Sequence, residues 1–276
     1  KERGIIAQEI GMNLDAADSV VFENLARAMY ARHPIREPIL GTSQTIREIT
    51  PENLTLCHRA FYTPGNMMLC VMGDVDPEAV EKIARELLGD APREVGEKIR
   101  DWEEPREIPQ AEVEDTMEVA MPTFTLAFRC PPPGRGEQAI RLEFLADLAA
   151  EALFGESSEL YLKLYDEGSI DSSFGGGFET IDGCAGAEAF SGLSEESFRR
   201  MKRSAFGRRV KGLDSFDATC FRVCAYHFSD FDYFRFPEIY DTIQKEDVTA
   251  FLKETVRAEN ACLSVIRPVQ GGEESC

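Results

Sequence analysis

The hydrophobic positions of the first thirty residues recur at helical spacing. Ile5, Ile6 and Ile10, then Val20, Val21, Leu25 and Met29, predict two helices separated near the polar residues Asn13 to Asp15. A polar loop follows, with His33-Pro34 and Gly41-Thr42. Thr50-Pro51-Glu52 joins a capping hydroxyl to a proline at the first helical position, where a missing N–H costs nothing, and predicts a helix to about Tyr62. Thr63-Pro64-Gly65-Asn66 reads as a turn. Met67 to Gly73 is short, continuously apolar before its glycine and bounded by turn residues, the pattern of a fully buried strand. Asp76-Pro77 then caps a helix to about Leu88.

The pattern breaks between Arg93 and Glu107, where ten of fifteen residues are charged and Pro92, Pro105 and Pro109 flank or interrupt them, so this stretch reads as a linker. A second series begins beyond it. Strands are predicted near Ala111–Ala120 and Thr123–Cys130, then a Pro131-Pro132-Pro133-Gly134 break and a long helix from Gly136 to Phe154. A helix at Ser158–Glu167, strands near Ile170–Glu179 and Cys184–Phe190, helices near Glu195–Lys211, Phe216–Phe228 and Lys245–Thr255, and a strand Cys262–Arg267 complete it. Strands and helices in blocks point to an α+β layer of helices on a mainly antiparallel sheet. Both halves contain the order helix, polar turn with Asn (Asn66, Asn260), apolar strand, a weak internal repeat.

Composition narrows the function. The 276 residues suffice for two domains. With 50 acidic against 30 basic residues and a net charge of −20, the chain has no basic footprint for nucleic acid and repels anionic lipid. The longest apolar run, Met67–Met72, is far below the ~18 residues of a membrane span. Eight scattered cysteines (57, 70, 130, 184, 220, 224, 262 and 276) with no Cys-x-x-Cys fit reduced thiols in a cytoplasm. Lys1 begins inside a helical pattern without an initiator methionine, so a piece of a longer protein is expected.

Few residues carry chemistry on their own. Glu2 and Glu9 are two helical turns apart and share one face, which suits a metal ligand with a supporting carboxylate and equally suits a solvated acidic face. His33, His58 and His227 form no i, i+4 pair, and the chain has neither His-x-x-Glu-His nor His-Glu-x-x-His, so structural or surface roles are expected for all three. Cys220 and Cys224 share a helix face but lack two further zinc ligands nearby, which favours packing. Gly175-Gly176-Gly177 is not followed by Lys-Ser/Thr and reads as a bulge or a close backbone approach rather than a phosphate loop.

Taken together, Glu2-Arg3-Gly4-Ile5-Ile6-Ala7-Gln8-Glu9-Ile10, His33-Pro34-Ile35, Ile39-Leu40-Gly41-Thr42, Ile49-Thr50-Pro51, Phe61 to Met67, Gly73-Asp74-Val75, Leu153 to Tyr161 and Leu164 to Gly168 resemble the zinc metallopeptidases of the insulinase and mitochondrial-processing-peptidase family. The match runs through nearly the whole chain in order. In that family an inverted His-x-x-Glu-His motif supplies two zinc ligands and the general base, and a Glu about seventy residues downstream supplies the third ligand. The resemblance implies that Glu9 is this ligand and that Glu2 is the carboxylate supporting it. The His-x-x-Glu-His motif is absent, so the general base lies outside the chain. The family's non-catalytic halves offer an Arg and a Tyr seven residues apart. The aligned positions here are Lys163 and Ile170, which points to the bacterial catalytic type of subunit.

The expectation is therefore an α+β protein of two homologous domains, residues 1–98 as the C-terminal part of the first and 99–276 as the second. It would be an N-terminally truncated, inactive fragment of a zinc endopeptidase that cleaves extended peptides in a chamber between paired halves. The alternative is a catalytically inactive partner subunit that binds peptide and closes the chamber. Zinc would belong to the full-length parent and not be bound here. The partners would be a peptide and a homologous subunit or a second copy, with no nucleic acid and no membrane. Loss of the strands flanking Met67–Gly73 would leave an apolar face and sheet edge needing cover, so the isolated chain is expected to self-associate in light scattering. A monodisperse monomer at high concentration contradicts that.

Overall fold

The computed structural model describes residues 2–89, 103–132, 134–170, 172, 174–178 and 193–269. Helices α1 (Glu2–Leu14) and α2 (Ala17–Met29) open the chain, then α3 (Thr45–Glu48), α4 (Pro51–Phe61) and α5 (Pro77–Leu88). Strands β1 (Glu112–Met117) and β2 (Thr123–Phe128) precede α6 (Glu137–Phe154), α7 (Glu159–Asp166), α8 (Glu195–Lys211), α9 (Phe216–Phe228), α10 (Phe236–Thr242), α11 (Lys245–Thr255) and β3 (Ala261–Pro268). The fold is α+β. Helix starts sit where side-chain acceptors meet orphan amides: Thr50 Oγ1 accepts from Asn53 N at 3.2 Å, Asp76 Oδ1 from Glu78 N at 3.0 Å and Ser158 Oγ from Tyr161 N at 3.1 Å.

Among the described residues the sheet has the order β1-β3-β2 and is mixed, since β3 runs parallel to β1 and antiparallel to β2. Glu112 pairs with Leu263 on one side of β3, and Phe128 with Ala261 on the other. The central position of β3 explains its burial: Cys262, Ser264 and Ile266, alternate residues on one face, are all inaccessible. Helix α2 covers the sheet with Leu25, Ala28, Met29 and Tyr30, packed with Cys262, Val113 and Ala127. Residues from the two ends of the chain thus build one small core.

The larger core forms around α6. Apolar on nearly all sides, this helix is a core helix rather than a surface one. Phe144, Ala146, Leu148 and Ala149 are fully enclosed. Phe198 of α8, Tyr226 of α9, Ile239 and Tyr240 of α10, and Val248 and Leu252 of α11 surround them. Helix α10, absent from the periodicity reading, begins with Pro237 in its first turn and is only 7 residues long. A helix so short leaves little periodicity to detect.

Three expectations require correction. Met67–Gly73 carries no strand, and Met67, Leu69 and Val71 are exposed rather than buried. A strand exists only where a neighbour completes its ladder, and the sheet built by the described residues takes β1, β2 and β3 instead. The sheet-edge part of the self-association argument therefore lapses. The apolar part keeps its surface, with Leu54, Phe61, Ile83 and Leu87 also exposed. Secondly, the described end of the linker is docked, with the Glu104 carboxylate accepting backbone N–H groups of Ala31, Arg32 and His33. Thirdly, of the two later strands expected, Ile170–Glu179 is irregular over its described residues and Cys184–Phe190 lies outside the described residues.

The repeat has a local structural counterpart. Helices α4 and α11 each have 11 residues, and each is followed by a 3₁₀ turn ending in asparagine. Asn66 Nδ2 donates to Phe61 O at 3.0 Å, and Asn260 Nδ2 donates to Thr255 O at 3.0 Å. In both cases the amide closes off the last carbonyl of the preceding helix. Met67 follows Asn66 as Ala261 at the start of β3 follows Asn260. The same local device stands before a paired strand in one half and an unpaired segment in the other.

Candidate functional site

Helix α1 leaves Glu2 and Glu9 exposed and buries Ile10. It rests on α2 and α3, and Arg3 is tied to the backbone carbonyl of Ile49 just beyond α3. Seven residues of helix separate the two carboxylates by ~10 Å along the axis and ~20° around it. They share a face. Among the described residues no group of three or more His, Cys, Asp or Glu side chains could hold a metal ion. Catalytic zinc requires three protein ligands and an open fourth position. Glu9 as it stands offers one, so the described residues do not fit the metal.

The histidines take the structural and surface positions expected of them. His33 is buried, and its Nδ1 accepts from Ile35 N at 3.1 Å to start a 3₁₀ turn. His58 stacks on Tyr62 with centroids 4.9 Å apart, and His227 is exposed near the end of α9. Lys163 of α7 reaches Glu167 at 4.0 Å, whereas Ile170 lies beyond the helix end, past Gly168 at φ +68°. At Gly176 a side chain would run into the Phe154 ring, so a ring rather than another backbone makes the close approach. Cys220 and Cys224 are only half-buried, and the Cys220 sulfur touches that of Cys70.

Two charged arrangements escaped the sequence reading. Glu104, within the supposed linker, accepts the backbone N–H groups of Ala31 at 2.6 Å, Arg32 at 2.7 Å and His33 at 2.7 Å. Arg129 Nη1 stands 3.7 Å from the same carboxylate, with its guanidinium 5.0 Å over the Tyr30 ring. Burial raises the Glu104 pKa, but the three amides and Arg129 outweigh it and leave the carboxyl below its ordinary value. The His33-Pro34-Ile35 segment is thus held by a distant carboxylate, which makes that motif a structural one in this chain.

The second arrangement lies beside α6. Arg209 of α8 donates to Asp147 at 2.9 Å, Glu143 at 3.4 Å and Tyr226 Oη at 2.9 Å, and it stacks 4.1 Å over Phe144. Tyr226 in turn donates to Glu143. Burial pushes the Asp147 carboxyl up to about 6, and Glu143 adds to the push while Arg209 opposes it. Both arrangements join residues more than sixty positions apart. Only an acid-rich background was visible in sequence.

The comparisons agree with this fold. The family model of the "Peptidase M16 inactive domain" matches residues 48–203. The uncharacterized zinc protease YmfH of Bacillus subtilis (strain 168) is 31% identical over 292 residues, covering 97% of this chain and 68% of that protein. A putative M16-like peptidase from Alicyclobacillus acidocaldarius superposes with a TM-score of 0.87 at 26% identity, over 97% of this chain and 70% of that one. The M16 inactive domain from Pseudomonas fluorescens shares the fold at a TM-score of 0.76 and 13% identity, over 98% and 70%. With a family model matching more than half of its residues and a zinc-protease relative aligned along nearly its full length, the chain belongs to the M16 peptidase family.

Proposed function

We propose that this chain is the part of an M16 zinc endopeptidase that carries the third metal ligand and the non-catalytic second domain, and that by itself it cleaves no peptide. The observation that carries the reading is Glu9. It stands exposed on a helix seated on the fold, while the chain contains no His-x-x-Glu-His to join it. In the parent protein Glu9 would bind zinc and Glu2 would support it, and an extended peptide would lie between paired homologous halves, one contributed by a homologous subunit or a second copy. The zinc-protease relative spanned to 68% of its length supports that context. The domains would be residues 1–98 and 99–276, in line with the matching α4–Asn66 and α11–Asn260 units. A cytoplasmic setting is in keeping with the six free cysteines among the described residues.

The test is equilibration of the chain with zinc, followed by metal analysis and by assay against extended fluorogenic peptides. The expected result is less than one tightly held zinc per chain and no cleavage. A stoichiometric tight site that disappears in Glu9→Ala, or zinc-dependent cleavage, overturns the proposal. A second reading, an inactive partner subunit that closes the chamber, is favoured by the match of residues 48–203 to the family's inactive domain. The coding sequence upstream of Lys1 separates the two: a His-x-x-Glu-His there supports the peptidase, and its absence supports the inactive partner.

A further inference from the structure

Cys70 and Cys220 are 150 residues apart in sequence, yet their sulfurs are 3.5 Å apart. Cys70 belongs to the irregular 67–73 segment, and Cys220 to α9, where Cys224 follows one turn later. Both partners of the pair are half-buried, while Leu69, Val71 and Phe221 beside them are exposed, so a small oxidant has access. A disulfide needs sulfurs at ~2.05 Å, a closure of ~1.5 Å from contact. One partner lies in a segment without strand pairing, where such a shift breaks no ladder. We propose that Cys70 and Cys220 are a redox-sensitive thiol pair that closes to a disulfide and ties the 67–73 segment to α9.

Three of the other described cysteines differ in ways that favour the pair, whereas Cys224, one turn along α9, is also half-buried and lies beside Cys70. Burial pushes the Cys130 thiol up to about 12 and the Cys262 thiol up to about 11, which keeps both in the unreactive thiol form. Cys57 is exposed on α4 and has no described thiol partner, so it can take a mixed disulfide but not close a ring. The Cys220 thiol is itself held above its ordinary value, first by its hydrogen bond with Cys70 and then by burial and by Cys70, Cys224 and Asp217 nearby. A raised pKa leaves Cys220 mainly as the thiol, so its attack on an oxidant proceeds through the minor thiolate form.

The chemistry is thiol–disulfide exchange with a low-molecular-weight disulfide as the oxidant. The Cys220 thiolate attacks one sulfur of oxidised glutathione, breaking its S–S bond, releasing one glutathione thiolate and leaving a mixed disulfide. The Cys70 thiolate then attacks Cys220 Sγ and expels the second glutathione. Two protein thiols lose two electrons and two protons, and one glutathione disulfide becomes two thiols.

The test treats the whole chain with oxidised glutathione, quenches it with an alkylating agent in denaturant, and maps the non-reduced peptides by mass spectrometry. Expected is the loss of two free thiols per chain, with a Cys70–Cys220 linked peptide within a single chain. Cys224→Ser should retain this link, and Cys70→Ser should abolish it and leave glutathione on Cys220. Separate glutathione adducts on Cys70 and Cys220 in the unmutated chain, a link to Cys224 in place of Cys220, or a link only between two chains would each overturn the assignment.

Discussion

Replacing Glu104 by alanine is expected to destabilise the chain by about 3–5 kcal/mol, the cost of deleting one partner from a buried, charge-bearing contact. The Glu104 side chain is 10% exposed and that of Arg129 15%, so water replaces the lost bonds only in part, most readily at the exposed Arg32. Three backbone donors at Ala31, Arg32 and His33 lose their acceptor together, and Arg129 loses its counter-charge. Each hydrogen bond to a charged group contributes about 1.5–3 kcal/mol on its own, but bonds sharing one carboxylate do not add. Glu104→Gln keeps a neutral acceptor and should recover about half of the loss. The effect is read as a lower urea midpoint at unchanged slope. A midpoint unmoved by Glu104→Ala contradicts the account.

The same carboxylate gives a pH signature. Its pKa is lowered in the fold, so its stabilisation is present above the unfolded value of about 4.3 and lost as pH falls through the lower folded value. The unmutated chain should therefore lose stability more steeply than Glu104→Gln across that acid range. Parallel acid-unfolding curves would show that Glu104 is not the group responsible.

Arg209→Ala is expected to cost about 1–3 kcal/mol, because it leaves two carboxylates and a phenol without their donor against α6, the Glu143 and Asp147 side chains being 25% and 36% exposed. The Arg209 side chain is 12% exposed, and its guanidinium also covers the Phe144 face, so packing is lost along with charge. Here the pH dependence has the opposite sign. Asp147 has a folded pKa of about 6, above the unfolded value of about 3.9. Its contribution is complete below about pH 4 and declines as pH rises through about 6. Asp147→Asn should flatten this decline, and Arg209→Ala should steepen it. Urea midpoints at several pH values decide the matter, and a stability of Arg209→Ala that rises over that interval would contradict it.

Local devices were legible in the residues themselves. Thr50-Pro51, Asp76-Pro77 and Ser158 started helices where they stood, because an N-cap needs only a neighbouring amide within three residues. The long apolar stretch around Phe144 to Leu153 read as a helix because period and length agree. The segment Met67–Gly73 misled for a definable reason. Its composition suits a buried strand, but a ladder belongs to two strands, and a single segment does not show whether its neighbour is present. Glu104 misled in the reverse direction. A carboxylate in a charge run looks solvated until the amides that it binds, more than seventy residues away, are folded against it.

For the candidate site the division is similar. Membership in the M16 family was readable from motif order, since short segments keep their spacing, Glu2 to Ile10 within α1 and Leu153 to Tyr161 across the short turn from α6 to α7. The role of Glu9 rests on that resemblance. Tertiary structure decided that it stands exposed on α1 and that the described residues place no ligand group around it.

The sequence by itself determined the longer helices and their caps, the acidic balance and the family, all properties of neighbouring residues or of the chain's sum. Only the tertiary structure decided that α2 would cover β3, that Glu104 would clamp residues 31–33, that Arg209 would sit between two carboxylates and that Cys70 would meet Cys220. Each is a contact between residues far apart in sequence, whose closure entropy is offset only when the surrounding surfaces pack at the same time.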